Sequence, residues 1–200
     1  MGYLTGKAAA KILKVNVNVP LLLALSVISD VDLLIPGLRH RGATHSLLMC
    51  TLLFIPAFIL YRRRALPYFA SLTQHSLIGD YMTGKVQLLW PLNKNWYGMR
   101  IPLMSITDVT AEWIFFIASA AILFKTEDMH SLLQRNHSNT LSCIPAITII
   151  LPLFFSFPLS IRSELIIPHL TFLALFLFST FTGLLGVLEK HPHPASIRHA

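Results

Sequence analysis

Long apolar runs broken by short basic loops set the rhythm of this chain. Six runs approach the ~20 residues that a membrane span requires: about 17–36, 44–61, 67–90, 103–124, 142–161 and 166–188. They predict an all-α fold, a multi-pass transmembrane bundle of about six helices. The runs at 17–36 and 67–90 carry carboxylates. Either is open to being a short, broken or re-entrant helix, which is tolerated only against protein or a wet cavity. Pro145, Pro152 and Pro158 in the fifth run predict kinks. Ahead of the first run, Lys7, Lys11 and Lys14 share one helical face. They predict an N-terminal amphipathic helix lying on an anionic surface. A signal-peptide n-region is the alternative, but cleavage would leave Asp30 and Asp32 at a frayed terminus. The bundle reads as one domain over 1–188. Its motif-bearing half covers about 1–110, apolar spans cover about 142–188, and a disordered tail covers 189–200.

Composition strengthens the membrane reading. Apolar residues make up 54% of the 200 and charged residues 12%, against about 25% charged in a soluble domain. The net charge is +7, yet the basic residues lie in short loops rather than on one dense face. Direct nucleic-acid binding is therefore not expected, and membrane lipids are the expected partners. With six spans and the N-terminus inside, ten Lys and Arg residues fall on the inner side and five on the outer. That excess predicts a cytoplasmic N-terminus. The same topology puts Asp30, Asp32, His40, His45, Asp80, Asp108 and His169 toward the outer face. Cys50 and Cys143 sit in apolar runs without a CxxC pair and read as small buried hydrophobes.

The polar exceptions carry the chemistry. Asp30, Asp32, Asp80, Asp108 and Glu112 are five of the nine acidic residues, and all lie in or at the ends of apolar runs. An Asp at a membrane-helix centre costs ~2.5–3.5 kcal/mol on insertion scales, so such residues pair, bind a cation or face water. His40, His45 and His75 lie beside them, and Asp with His makes a hard-to-borderline ligand set. Asp30-Val-Asp32 supplies two carboxylates, but i and i+2 point apart on a helix. A turn near Pro36-Gly37 is needed for both to reach one ion. Thr44 is expected to cap the helix of the second run, with His45 in its first turn. His75 and Asp80 are five apart, and Gly79 marks a bulge that restores their convergence. Asp108 and Glu112 repel at i, i+4 unless a cation, Arg39, Arg41 or Arg100 intervenes, or one is protonated. His169 reads as a helix–helix hydrogen-bonding residue. The set Asp30, Asp32, His40, His45, His75 and Asp80 predicts a divalent-metal site, zinc above other ions.

These motifs resemble a family. HRGATHS at 40–46, preceded by SDVD at 29–32 and followed by QHSLIGDYMT at 74–83 and VQLLWPL at 86–92, resembles the YdjM-like membrane-bound metal-dependent hydrolases, described as LexA-binding inner-membrane proteins. The resemblance covers about residues 1–110. It implies kinship with zinc-dependent phospholipases C and zinc-dependent nucleases, and hence phosphoester hydrolysis on an all-helical fold. It makes the same six residues the metal-ligand candidates, with Asp32, His45 and Arg41 expected to carry catalysis. Arg41, helped by Arg39, would hold the phosphate of a lipid-like or phosphorylated substrate. Two features depart from the family pattern. Thr5-Gly6 stands where members often carry Thr-His, and His75-x4-Asp80 stands where His-x3-Asp is usual. Two other functions fit the polar residues: a metal-binding membrane protein with a structural or regulatory role, and a small ion- or proton-coupled transporter.

Overall fold

The computed structural model describes residues 1–103, 105–154 and 163–190. These are largely helical, and an isolated antiparallel bridge between Val86 and Tyr97 is the one extended pairing among them. Helix α1, Gly2–Leu13, ends at Lys14 in the left-handed region (φ 53°). It packs against α2, Val19–Leu25, and α4, Leu66–Gln74. The approach to α2 is close: a Cβ at Gly6 would lie 2.5 Å from Leu22 Cδ1, and Leu22 is fully buried. Position 6 is thus a packing position against α2, where any larger side chain must displace Leu22.

The other anchor of α1 is polar. Tyr3 Oη donates to Asp128 Oδ2 at 2.7 Å, and Lys7 Nζ lies 2.7 Å from the same oxygen. Asp128 opens α7, Asp128–Leu133. The expected lysine stripe is therefore divided. Lys11 and Lys14 are exposed, whereas Lys7 turns inward to a carboxylate.

The first apolar run is broken. Asn18 caps α2 by accepting from Leu21 N at 2.9 Å, and after seven residues the chain tightens into a 3₁₀ helix over Ile28–Leu34. The second run forms α3, Leu47–Tyr61. Its cap is Ser46, whose Oγ accepts from Met49 N at 3.3 Å, and not Thr44. The Thr44 hydroxyl is taken by a carboxylate, and His45 lies in a turn before the helix. Helix α3 is apolar on all sides, with Cys50 its one buried residue. Such a helix belongs in lipid or a core. At 15 residues it is roughly 22 Å long at 1.5 Å per residue. A bilayer core is about 30 Å thick.

An exposed turn, Arg62–Arg64, joins α3 to α4. Helix α4 passes into a π-helical turn over His75–Asp80, then into α5, Tyr81–Thr83. The third run is thus helical without a break over 66–83, with the π turn inside the helix, and ends at Thr83 rather than at 90. Residues 84–100 fold back across the start of α3, where the carbonyls of Leu88 and Trp90 accept from Ser46 Oγ at 3.1 and 2.7 Å.

Among the described residues, two helical stretches are long and apolar enough to cross a membrane: α6, Ile106–Lys125, and the stretch Ser163–Glu189, which includes most of α9, Ile166–Lys190. Between them α8 covers Cys143–Phe154. The rest of the fifth run, with Pro158, lies outside the described residues. Helix α9 seats on the turn His137–Ser142, with Ser142 Oγ and Ser179 Oγ 3.0 Å apart in the interior. Glu189 and Lys190, expected in a disordered tail, complete α9. Residues 191–200 lie outside the described residues, and the remainder of that expectation with them. The buried core joins Tyr3, Leu22, Leu132 and Phe176 across α1, α2, α7 and α9.

Candidate metal centre

Three short, non-α segments build the site: the 3₁₀ helix carrying Asp30 and Asp32, the turn Ala43–His45, and the π turn His75–Asp80. His45 is their hub, with no exposed surface. Its Nε2 lies 3.3 Å from Asp30 Oδ1 and 3.2 Å from Asp80 Oδ2. His75 Nε2 lies 3.1 Å from the same Asp30 oxygen and 3.5 Å from the same Asp80 oxygen. On the other edge of the ring, His45 Nδ1 is 3.2 Å from Asp32 Oδ2. Asp32 Oδ1 is 3.0 Å from His40 Nδ1.

The two carboxylates of the Asp-x-Asp motif do not address one point, as the sequence had suggested. A 3₁₀ turn advances about a third of a revolution per residue, so residues two apart still diverge. Asp30 and Asp32 use that divergence to reach opposite nitrogens of one imidazole.

The donor atoms suit a cation. Ligands 2.0–2.1 Å from zinc in a tetrahedron stand roughly 3.3 Å from one another. The four separations joining Asp30 Oδ1 and Asp80 Oδ2 to His45 Nε2 and His75 Nε2 run from 3.1 to 3.5 Å. Asp80 Oδ2 is buried and accepts no well-aligned hydrogen bond, the condition of an oxygen awaiting a stronger partner. Two triads have ligand atoms mutually close enough to hold an ion: Asp30, His45 and His75, and Asp32, His40 and His45.

Without a cation, protons do the neutralising. Burial disfavours charge on His45, but hydrogen bonds to Asp30 and Asp32 and the charge of Asp80 outweigh it and raise its pKa to about 9. His75 is raised likewise: burial opposes, while the hydrogen bond and charge of Asp30 prevail. Asp30 is buried too, yet hydrogen bonds from His45 and His75 hold its carboxyl well below the usual carboxylate range. Asp32 is held down in the same way by His40, His45 and Thr44.

Arg41 has a left-handed backbone (φ 63°) and places Nε 2.8 Å from Asp80 Oδ1. Its guanidinium crosses Gly84 so closely that a Cβ there would collide with Nη1. Arg39 stacks its guanidinium on Trp96, 4.5 Å from the ring centre. All six metal candidates therefore gather here. Asp108 and Glu112 do not join them. They line a small pocket on the other side of Gly79 and Met82, with Met1. His169 Nδ1 lies 2.8 Å from the Leu165 carbonyl one turn before it.

Sequence reasoning passed over Thr44 as a member of the site. Its Oγ1 donates to Asp32 Oδ2 at 2.7 Å and lies 3.0 Å from His45 Nδ1. Its place beside His45 in HRGATHS was the available signal.

An all-helical fold with two membrane-crossing candidates and an Asp–His cluster at a helix mouth describes a membrane protein with a polar centre. Residues 1–165 match the family described as YdjM inner membrane protein, and the chain belongs to that family. Comparison with curated proteins and with solved structures returns no match.

Proposed function

We propose that this chain is a multi-pass membrane hydrolase that holds a divalent cation, zinc by its ligand set, and cleaves a phosphoester of a lipid or lipid-linked substrate. The convergence of Asp30, His45, His75 and Asp80 from three separate segments carries the reading. A bound divalent cation would supply Lewis acidity, making water a usable nucleophile at neutral pH and polarising the substrate oxygen. The protein's own groups do the rest. Arg41 steadies Asp80 through Nε and leaves its remaining N–H groups for a phosphate oxygen. The phosphoester and the lipid come from the family resemblance and from the membrane setting.

A second reading is favoured by Gly6, which packs against Leu22 and stands where the family resemblance implies a histidine. This reading is a cation-binding membrane protein of structural or regulatory role, without turnover.

Titrating zinc into metal-free protein at pH 7 should show one tight equivalent and a release of protons, chiefly from His45, whose pKa is raised to about 9, with His75 raised in the same direction. Affinity should rise with pH, because both imidazoles must lose a proton to ligate. Hydrolysis of a phospholipid by the loaded protein supports the hydrolase, and binding without turnover supports the second reading. Absence of binding would overturn both.

We infer the topology from the polarity of the α3–α4 hairpin. Arg62–Arg64 lies at one end, and His45 and His75 at the other. We place the arginines in the cytoplasm, by the positive-inside rule, and the site toward the outer face. In a Cys50→Ala, Cys143→Ala background, an impermeant maleimide added to spheroplasts should label Leu92→Cys and spare Arg63→Cys. Both positions are exposed. The reverse pattern would invert the topology.

A further inference from the structure

We infer that Thr44 and Asp32 commit His45 to its cation through Nε2 and confine the centre to one ion, so that Asp32 and His40 position a ligand rather than serve as ligands. This rests on the reading above that the cluster holds a divalent cation. The argument starts from the single proton of a hydroxyl. Thr44 Oγ1 is 2.7 Å from Asp32 Oδ2, the length of a charge-assisted O–H···O⁻ bond. Its proton is therefore spent on Asp32.

Only a lone pair of Oγ1 then faces His45 Nδ1, 3.0 Å away. Asp32 Oδ2, 3.2 Å from the same nitrogen, also presents lone pairs. Two acceptors on one ring nitrogen require that nitrogen to carry a hydrogen. A neutral imidazole protonated at Nδ1 has its lone pair at Nε2, and Nε2 is the atom beside Asp30 and Asp80. The tautomer needed to ligate on that side is thus set from behind, as a carboxylate–histidine–metal arrangement does.

The same hydroxyl decides the number of ions. Asp32, His40 and His45 have ligand atoms close enough for a second cation. Yet Asp32 Oδ2, Thr44 Oγ1 and His45 Nδ1 stand 2.7, 3.0 and 3.2 Å apart. An ion bound to both Asp32 Oδ2 and His45 Nδ1 would have to break the Thr44–Asp32 bond and strip the hydrogen from Nδ1. Asp32 is buried, and its other oxygen already meets His40 Nδ1 at 3.0 Å. His40, Asp32, Thr44 and His45 thus form one hydrogen-bonded chain that ends on the cation side of the ring.

The test compares wild type, Thr44→Val and Thr44→Ser, with zinc affinity read by chelator competition and with the visible spectrum of the cobalt-loaded protein. Valine keeps the shape and removes the hydroxyl, while serine keeps the hydroxyl. Wild type should bind one equivalent. Thr44→Val should bind zinc about 10–100-fold more weakly, the usual cost of losing an outer partner, and its cobalt bands should shift as His45 samples both nitrogens. Thr44→Ser should restore affinity and spectrum. Melting of the metal-free forms checks that Thr44→Val is folded. A Thr44→Val protein with wild-type affinity and spectrum, or wild type that binds two equivalents, overturns this inference alone. Wild type that binds no cation overturns it together with the metal reading.

Discussion

Replacing His45 with alanine is expected to abolish tight divalent-cation binding and to destabilise the metal-free protein by about 3 kcal/mol. That figure is the lower end of the cost of removing one partner from a buried ion pair. The effect is large because His45 is the ring on which both halves of the cluster turn. It is wholly buried, meets Asp30 and Asp80 through Nε2, and meets Asp32 through Nδ1. Truncation leaves three carboxylates each short of a neighbour. The cost stays at the lower end because other partners remain. His75 still reaches Asp30 and Asp80, Arg41 still reaches Asp80, and His40 and Thr44 still reach Asp32. Elemental analysis of purified protein and a thermal melt of the metal-free form test the two halves separately. A His45→Ala protein that keeps its cation, or melts with wild type, contradicts the central place given to this ring.

His45 also marks how far the sequence could be read. Carboxylates and histidines stranded in apolar runs were legible as one site, because the cost of isolating such groups in lipid is general and needs no geometry. All six were brought together. What each one does within the site was not legible. Asp30 and Asp32 look equivalent in the motif, yet the 3₁₀ twist sends them to opposite edges of one ring. Thr44 and Ser46 are both hydroxyl residues before an apolar run, and either could cap α3. The structure gives that task to Ser46, because Thr44 is held by Asp32. Hydropathy likewise marked the runs but not their continuity. The run at 17–36 leaves α geometry before its carboxylates and carries them on a 3₁₀ helix, whereas the run at 67–90 stays helical through a π turn that ends on Asp80 and continues to Thr83. Gly6, where the family resemblance implies a histidine, packs against Leu22, a contact that hydropathy does not disclose.

The spacing of His75 and Asp80 supports the second large prediction. In an α-helix the i→i+4 bond brings every fourth residue back over the first. A π turn, with i→i+5 bonds, does the same for every fifth. His75–Asp80 is such a turn, and it sets His75 Nε2 and Asp80 Oδ2 3.5 Å apart despite the extra residue. The turn thus absorbs one residue relative to a His-x3-Asp helix and leaves the elements on either side in register. Deleting Gly79 should relax it to regular α-helix, keep Asp80 over His75, and hold zinc affinity within about tenfold of wild type. Gly79 suits this test because an added Cβ there meets nothing within 4 Å, so no side-chain packing is lost with it. Inserting an alanine after Gly79 should instead swing Asp80 away from His45 and His75 and carry Arg41's partner with it. A displaced ligand should cost at least the roughly 100-fold upper range for losing an outer partner. Chelator competition on the three proteins reads the contrast. If the deletion destroys binding while the insertion spares it, the π turn is not what brings the two ligands together.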